Sequence, residues 1–185
     1  MVLLASLVLA FAVVHALPSH AVIMAPLRAR LGPSFGAVYA FAAVLLLASM
    51  IWAFRRAEST TLYDVKEWGR YMNFVLSLLG FICVGIFLFR GSWRQSLRYP
   101  MAIGVGLWAT GHLFANGDTR SLLLFGGLAA AAAFQAALMA RGPAAPRPDT
   151  RSGHNLLSVL AGLALYALMA QLHYFITGAP LVELR

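Results

Sequence analysis

The sequence predicts an all-α, polytopic membrane bundle of about six spans joined by short loops. Apolar residues make up 61% of the 185 and charged residues 11%, where a soluble domain carries roughly 25% charged residues to stay hydrated. The apolar residues fall into six windows of about 16–24 residues, and a helix rising 1.5 Å per residue needs roughly 20 to cross the hydrocarbon. Charges sit between these windows, and the length allows one compact integral domain, residues 1–185.

Span one starts at Val2 and is predicted to continue through Pro18 towards Arg28, since proline is tolerated in membrane helices. Arg28 and Arg30 close it, and Gly32-Pro33 forms the turn. Span two runs from Phe35 to Phe54. The polar stretch from Ala57 to Tyr71 is expected to be an interfacial loop, with Trp68 and Tyr71 at headgroup level. Span three covers Met72 to Phe89, and span four starts at Pro100, whose missing N–H suits a first helical position. Asn116-Gly117 stops it. Span five, Leu122 to Ala140, carries Gly126, Gly127 and Ala129 to Ala133, small residues that let backbones approach. A Pro-rich linker from Arg141 to Gly153 leads to span six, Leu156 to Phe175.

A net charge of +8 and a pI of 10.6 raise the question of nucleic acid. The fourteen basic residues lie almost entirely at span ends, with no basic run interleaved with aromatics, so the partner expected is membrane lipid and not nucleic acid. The loops after spans one, three and five hold eight of them, which predicts that this face is cytoplasmic and both termini lie outside. The single cysteine, Cys83, is inside a span and cannot form an internal disulfide, and no Cys-x-x-Cys-His occurs, so any haem would be held non-covalently. The N-terminus lacks a positive n-region and is expected to be a mature span.

An ionisable side chain at bilayer depth costs roughly 2.5 kcal/mol or more and is a functional candidate by default. Five histidines are available. With Arg28, Arg98 and Arg151 as markers of one face, helical rise puts His15 and His112 both about 20 Å from it, His20 at about 12 Å, His154 at about 5 Å and His173 at about 33 Å. His15 and His112 therefore match in depth, provided span one stays helical through Pro18. Two imidazoles facing each other across a bundle are a usual arrangement for b-type haem. Gly104, Gly106 and Gly111 thin the helix around His112 and are expected to leave room for a flat ring, with Phe11, Trp108 and Phe114 lining it. Arg28, Arg98 and Arg120 are candidates to pair propionates.

The plainer alternative is that each histidine hydrogen-bonds a neighbouring helix. Zinc is disfavoured because no third ligand shares the depth, and a nucleophilic triad lacks a buried acid. Asn116-Gly117-Asp118 reads adequately as a helix cap and turn. Gln135 is expected to bond a neighbouring helix, and His173 with Tyr174 to anchor the interface, with His173 as the reserve ligand if the depth argument fails.

From Arg98 to Phe125 the chain reads RYPMAIGVGLWATGHLFANGDTRSLLLF, and this resembles the signature of the NnrU family: an Arg-His-Pro-Met opening, a mid-helix Trp-Ala, a His-Leu-x-x-Asn-Gly-Asp close and a Leu-Leu-Leu-Phe-Gly run. Weaker agreement extends to His15, Leu31-Gly32, Tyr39 and His173 near Gly178. That family is associated with bacterial nitrite and nitric oxide reduction, and is similar to the zeta-carotene isomerases, membrane haem b proteins that isomerise a carotene double bond. The resemblance implies haem b held by His15 and His112, with Trp108 and Asn116 in the same signature, in a multi-pass protein of the bacterial inner membrane. The family's Arg-His-Pro is Arg98-Tyr99-Pro100 here, so any proton-transfer or redox-linked role of that histidine is not expected to carry over.

Two functional classes follow. In one, the haem serves redox-linked chemistry on an apolar polyene or a nitrogen oxide. In the other, the protein is a non-catalytic haem-binding accessory or sensor for nitric oxide or nitrite reduction. The Arg-x-Pro opening also resembles membrane methyltransferases, but these would need a downstream carboxylate pair, and after Asp118 the acids are Asp149 and Glu183 alone.

Overall fold

The structure, a computed structural model, describes residues 1–16, 21–141 and 149–181, and the side chains of residues 21–23 lie outside that description. The helices are α1 (Val2–Ala16), α2 (Ala21–Leu31), α3 (Phe35–Arg56), α4 (Glu67–Leu88), α5 (Ser92–Ser96), α6 (Pro100–Ala115), α7 (Thr119–Ser121), α8 (Gly127–Arg141) and α9 (His154–Thr177). A 3-10 turn over Gly32–Ser34 joins α2 to α3, and a π turn over Leu122–Gly126 joins α7 to α8. Gly32 has a φ of 51°, the left-handed conformation that ends a helix, and Pro33 follows, so the predicted turn is present. The continuity of span one through Pro18, the position of His20 and linker residues 142–148 lie outside the described residues.

Four stretches are long and apolar enough to cross a membrane: Met24–Arg56, Glu67–Leu88, Thr119–Arg141 and His154–Thr177. The other two predicted spans are α1 and α6, with 15 and 16 residues. They reach about 22–24 Å, short of a hydrocarbon layer of about 30 Å. Exposed side chains on the long helices are those of a surface solvated by lipid, including Phe41 (65%), Phe134 (58%) and Leu156 (64%). One boundary differs from expectation. α4 starts at Glu67, so Trp68 and Tyr71 stand on its first turns and not in a loop; Glu67 in that turn is favoured by the positive end of the helix dipole.

Neighbours follow the order α9, α4, α6, α8, α1, α3, and the circle closes where Arg55 Nη1 of α3 donates to Phe175 O of α9 at 3.3 Å. Glycines set the register. A Cβ at Gly80 would lie 2.7 Å from Gly104 O, one at Gly85 2.0 Å from Ser158 O, and one at Gly111 2.9 Å from Asn73 Oδ1. With lipid on both sides of the unpacked helices, close backbone approach is the main source of helix association. The sequence placed such contacts on span five, but the closest ones run along α4. For the same reason Gly104 and Gly111 leave no slot for a ring beside His112: the α4 backbone fills that space.

Because α6 is short, its last carbonyls end inside the bundle and must find donors. Residues 57–66 supply them. Tyr63 Oη donates to Leu113 O, and also to Asn116 O at 2.9 Å. Leu62 N and Tyr63 N donate to Gly117 O at 2.7 and 3.2 Å, and Asn116 Nδ2 donates to His112 O at 2.8 Å. Gly117 is required, since a Cβ there would sit 2.0 Å from Tyr63 O. Asp118 then caps the next helix. It accepts from Ser121 N at 3.1 Å, Ser121 Oγ at 2.7 Å and Ser59 Oγ at 2.7 Å. Asn116-Gly117-Asp118 is thus the cap and turn its sequence suggested.

Burial works to raise Asp118, but the Ser59 and Ser121 hydrogen bonds and the Arg120 charge outweigh it and hold the carboxyl below its ordinary value. Burial first, and then the Asp118 charge, push the Tyr63 phenol up. A lowered carboxylate contributes stability that is complete above its unfolded value and is lost as pH falls through the folded one.

Two stability outcomes follow. Gly85→Ala should abolish a monodisperse detergent-solubilised species, whereas Gly36→Ala, where a Cβ meets nothing within 4 Å, should behave as wild type in size-exclusion chromatography. Asp118→Asn should cost roughly 1–2 kcal/mol through loss of the charged cap, seen as a lower thermal midpoint near neutral pH. The gap between variant and wild type should close as pH drops into the acid range.

Candidate functional site

Three histidines share one hydrogen-bond arrangement. His15 Nδ1 lies 2.9 Å from Phe11 O, His112 Nδ1 2.9 Å from Trp108 O, and His173 Nδ1 3.1 Å from Ala179 O. A carbonyl only accepts, so Nδ1 carries the proton in each neutral ring and Nε2 keeps its lone pair. This is the tautomer that metal-ligating histidines adopt. His154 is the opposite case: its Nδ1 accepts from Arg90 N at 3.1 Å, which marks it as structural.

The glycine contacts fix the depth of each ring. On α4, the pairing of Gly80 with Gly104 and of Asn73 with Gly111 places His112 level with Met72. The pairing of Gly85 with Ser158 and of Ile82 with Gly162 places His173 level with Tyr71. These two histidines therefore fall at one height on the two helices that flank α4. Each stands one turn before its helix ends.

His15 and His112 have different neighbours. His112 packs on Phe125, with ring centroids 4.5 Å apart, whereas His15 O accepts from Gln135 Nε2 at 3.0 Å. The depth match expected from the sequence measured His15 from Arg28 along a single helix, and residues 17–20 of that run lie outside the described residues. In the structure Arg28 lies over Phe35, 5.0 Å from its ring. Phe35 stacks on Tyr39, which touches His15 at 5.8 Å.

The other predicted contacts divide in the same way. Trp108 and Asn116 serve His112 directly through a carbonyl and an amide, and Trp108 also tilts against its ring at 4.7 Å. Arg120 is nearby: its guanidinium lies 4.8 Å from the Phe54 ring, and Phe54 meets Phe125 at 6.2 Å. Arg98 is fourteen residues before His112, at the far end of α6, where it covers the Tyr99 ring at 5.6 Å. Tyr99 shares that remote end, so its replacement of the family histidine does not touch this site. Phe11 stacks on His15 at 3.9 Å, and Phe114 turns outward to Trp68 at 5.5 Å.

Two features were missed. The π turn over Leu122–Gly126 aims Phe125 at His112, and π turns are frequent at functional sites. The pairing of His173 with His112 had a signal, since both stand a few residues before a helix stop, at Gly178 and Asn116.

The donor set fits a haem. Two imidazoles at one depth present free Nε2 atoms, and Arg120 Nε–H is buried with no acceptor among the described residues. Its nearest carboxylate oxygen, on Asp118, is 3.6 Å away, an ion pair but beyond hydrogen-bond range. An anionic propionate is the kind of group that would satisfy it. Neither apolar recess of the bundle is lined by a histidine: one of 130 Å³ lies between α4 and α6 beside Trp108, and one of 430 Å³ runs between α1 and α8. Among the described residues no cluster of three or more histidine, cysteine or acidic side chains could hold a bare metal ion.

No curated protein and no solved structure matches the chain. The family comparison does match, over residues 2–181 and so nearly the whole chain, and the chain belongs to the NnrU protein family.

Proposed function

We propose that this protein binds one haem b non-covalently near one face of the membrane, where His112 on α6 and His173 on α9 would hold it. The observation that carries the reading is the shared height of two histidines whose Nδ1 atoms are already bonded to backbone carbonyls. When bound, the group supplies an iron that cycles between ferrous and ferric states.

The chain's own residues do the rest. Trp108 O and Ala179 O hold the two rings in the ligating tautomer. Phe125 and Trp108 keep water from the face of His112. Arg120 offers its Nε–H, which has no hydrogen-bond acceptor among the described residues, to an anionic group at the boundary, and Asp118 Oδ1 lies 3.6 Å from that same nitrogen. Work on an apolar polyene, work on a nitrogen oxide, and a carrier or sensor role in nitrogen-oxide reduction all need this one iron. The excess of arginine on the opposite face supports insertion in a bacterial inner membrane with that face cytoplasmic, and a haem held at the His112 end would then lie towards the outer side.

The test is a set of reduced-minus-oxidised spectra on detergent-purified protein. Wild type should show the Soret and α bands of a six-coordinate low-spin b haem. His112→Ala should lose most of the haem, His173→Ala should turn it high-spin, and His15→Ala should leave it low-spin. A wild type without a Soret band, or a high-spin His15→Ala beside a low-spin His173→Ala, would sink the assignment.

A further inference from the structure

The end of the bundle opposite His112 carries a charged surface that the proposed haem site does not use. There α4, α5 and α9 are tied together through backbone and neutral side chains. Arg151 N donates to Arg90 O at 2.8 Å, Arg90 N to His154 Nδ1 at 3.1 Å, and Trp93 N to Asn155 Oδ1 at 3.2 Å. A Cβ at Gly91 would lie 2.0 Å from Asn155 Oδ1, so the knot is tight. It consumes the main chain of Arg90 and Arg151 and leaves their guanidinium groups exposed.

Arg98 is exposed beside them, and Arg94 is half-buried over the Phe87 ring at 5.1 Å. Among the described residues none of these four arginines pairs with a carboxylate; the one ion pair is at the other end, between Arg120 and Asp118. The other end mixes Arg55, Arg56, Lys66 and Arg70 with Glu58, Asp64 and Glu67, whereas Asp149 is the one acid described near the knot.

We infer that the Arg90–Arg98–Arg151 surface is a docking site for the headgroup of an anionic phospholipid. Charge selects the headgroup: several guanidinium groups fixed by a rigid knot at a helix end match a phosphodiester and reject a zwitterion's ammonium. Apolar surface selects a lipid over a soluble phosphate. At the same helix ends, Leu88 of α4 and Leu156 of α9 are 56% and 64% exposed, apolar surface for acyl chains, and Trp93, 45% exposed, marks the boundary.

The experiment reconstitutes the full chain into vesicles of phosphatidylcholine containing spin-labelled phosphatidylglycerol or phosphatidylcholine and measures the motionally restricted fraction of each. Wild type should favour phosphatidylglycerol by roughly tenfold, a preference that shrinks in high salt. The triple variant Arg90→Gln, Arg98→Gln, Arg151→Gln should approach parity, and Arg56→Gln at the other end should retain the preference. Equal restriction of both lipids in wild type overturns the inference, as does a monodisperse triple variant with unchanged selectivity. If the triple variant fails to fold, Arg151→Gln alone is measured and should lose a few-fold. Inorganic phosphate should weaken the preference no more than chloride at equal ionic strength; stronger competition would assign the site to free phosphate and overturn the lipid.

Discussion

Backbone contact along α4 is the constraint on which the rest of this bundle depends. Gly80 meets the carbonyl of Gly104, and Gly85 meets that of Ser158. Neither contact survives a methyl group, and neither can slide by one residue without bringing a larger side chain into the gap. In water, burial of apolar surface would drive association and tolerate some slippage. In lipid the tails are as apolar as leucine, so shape carries the association and register becomes strict. The equal height of His112 and His173 is a consequence of that register, since both are levelled against the same stretch of α4.

The short α6 adds a second constraint. A helix that ends inside the bundle exposes carbonyls where water is scarce, and each unpaired group is costly there. The loop before α4 answers by laying Leu62 and Tyr63 across the end of α6, and Asp118 fastens that loop to the next helix through Ser59 and Ser121. The Asn-Gly-Asp signature is thus structural chemistry. Its polar groups are spent on holding the last turn of α6, the turn that carries His112.

The fold class was legible because apolar run length and loop charge are direct readouts of a membrane solvent. The site was legible in part. His112, Trp108, Asn116 and Arg120 belong to one place because one continuous signature carries them, through α6 and the turn that follows. His15 came both from the family resemblance and from a depth ruler that assumed straight helices measured from loop arginines, and Arg28 and Arg98 were candidates to pair propionates. Between His15 and Arg28 that ruler crosses residues 17–20, which lie outside the described residues. It misplaced His173, because α9 is eight residues longer than α6 and its start is not level with the start of α6. Interhelix register is a tertiary quantity, and it surfaced in the sequence only as scattered glycines on spans three, four and six.

Hydrogen bonding also separates the histidines in a way that burial does not. His15, His112 and His173 each have Nδ1 against a backbone carbonyl, and the haem reading proposed above uses the two that fall at one height. His15 is left with an aromatic stack of Phe11 and Tyr39 and a backbone link to Gln135, which is enough to explain a histidine that joins α1 to α3 and α8 without any ligand. The division of charge between the two ends then has a physical logic. The end that holds the histidine pair balances its arginines with acids and uses them internally, so Arg120 is turned towards the site. The opposite end spends no side-chain charge on its own fold and leaves it for the membrane surface.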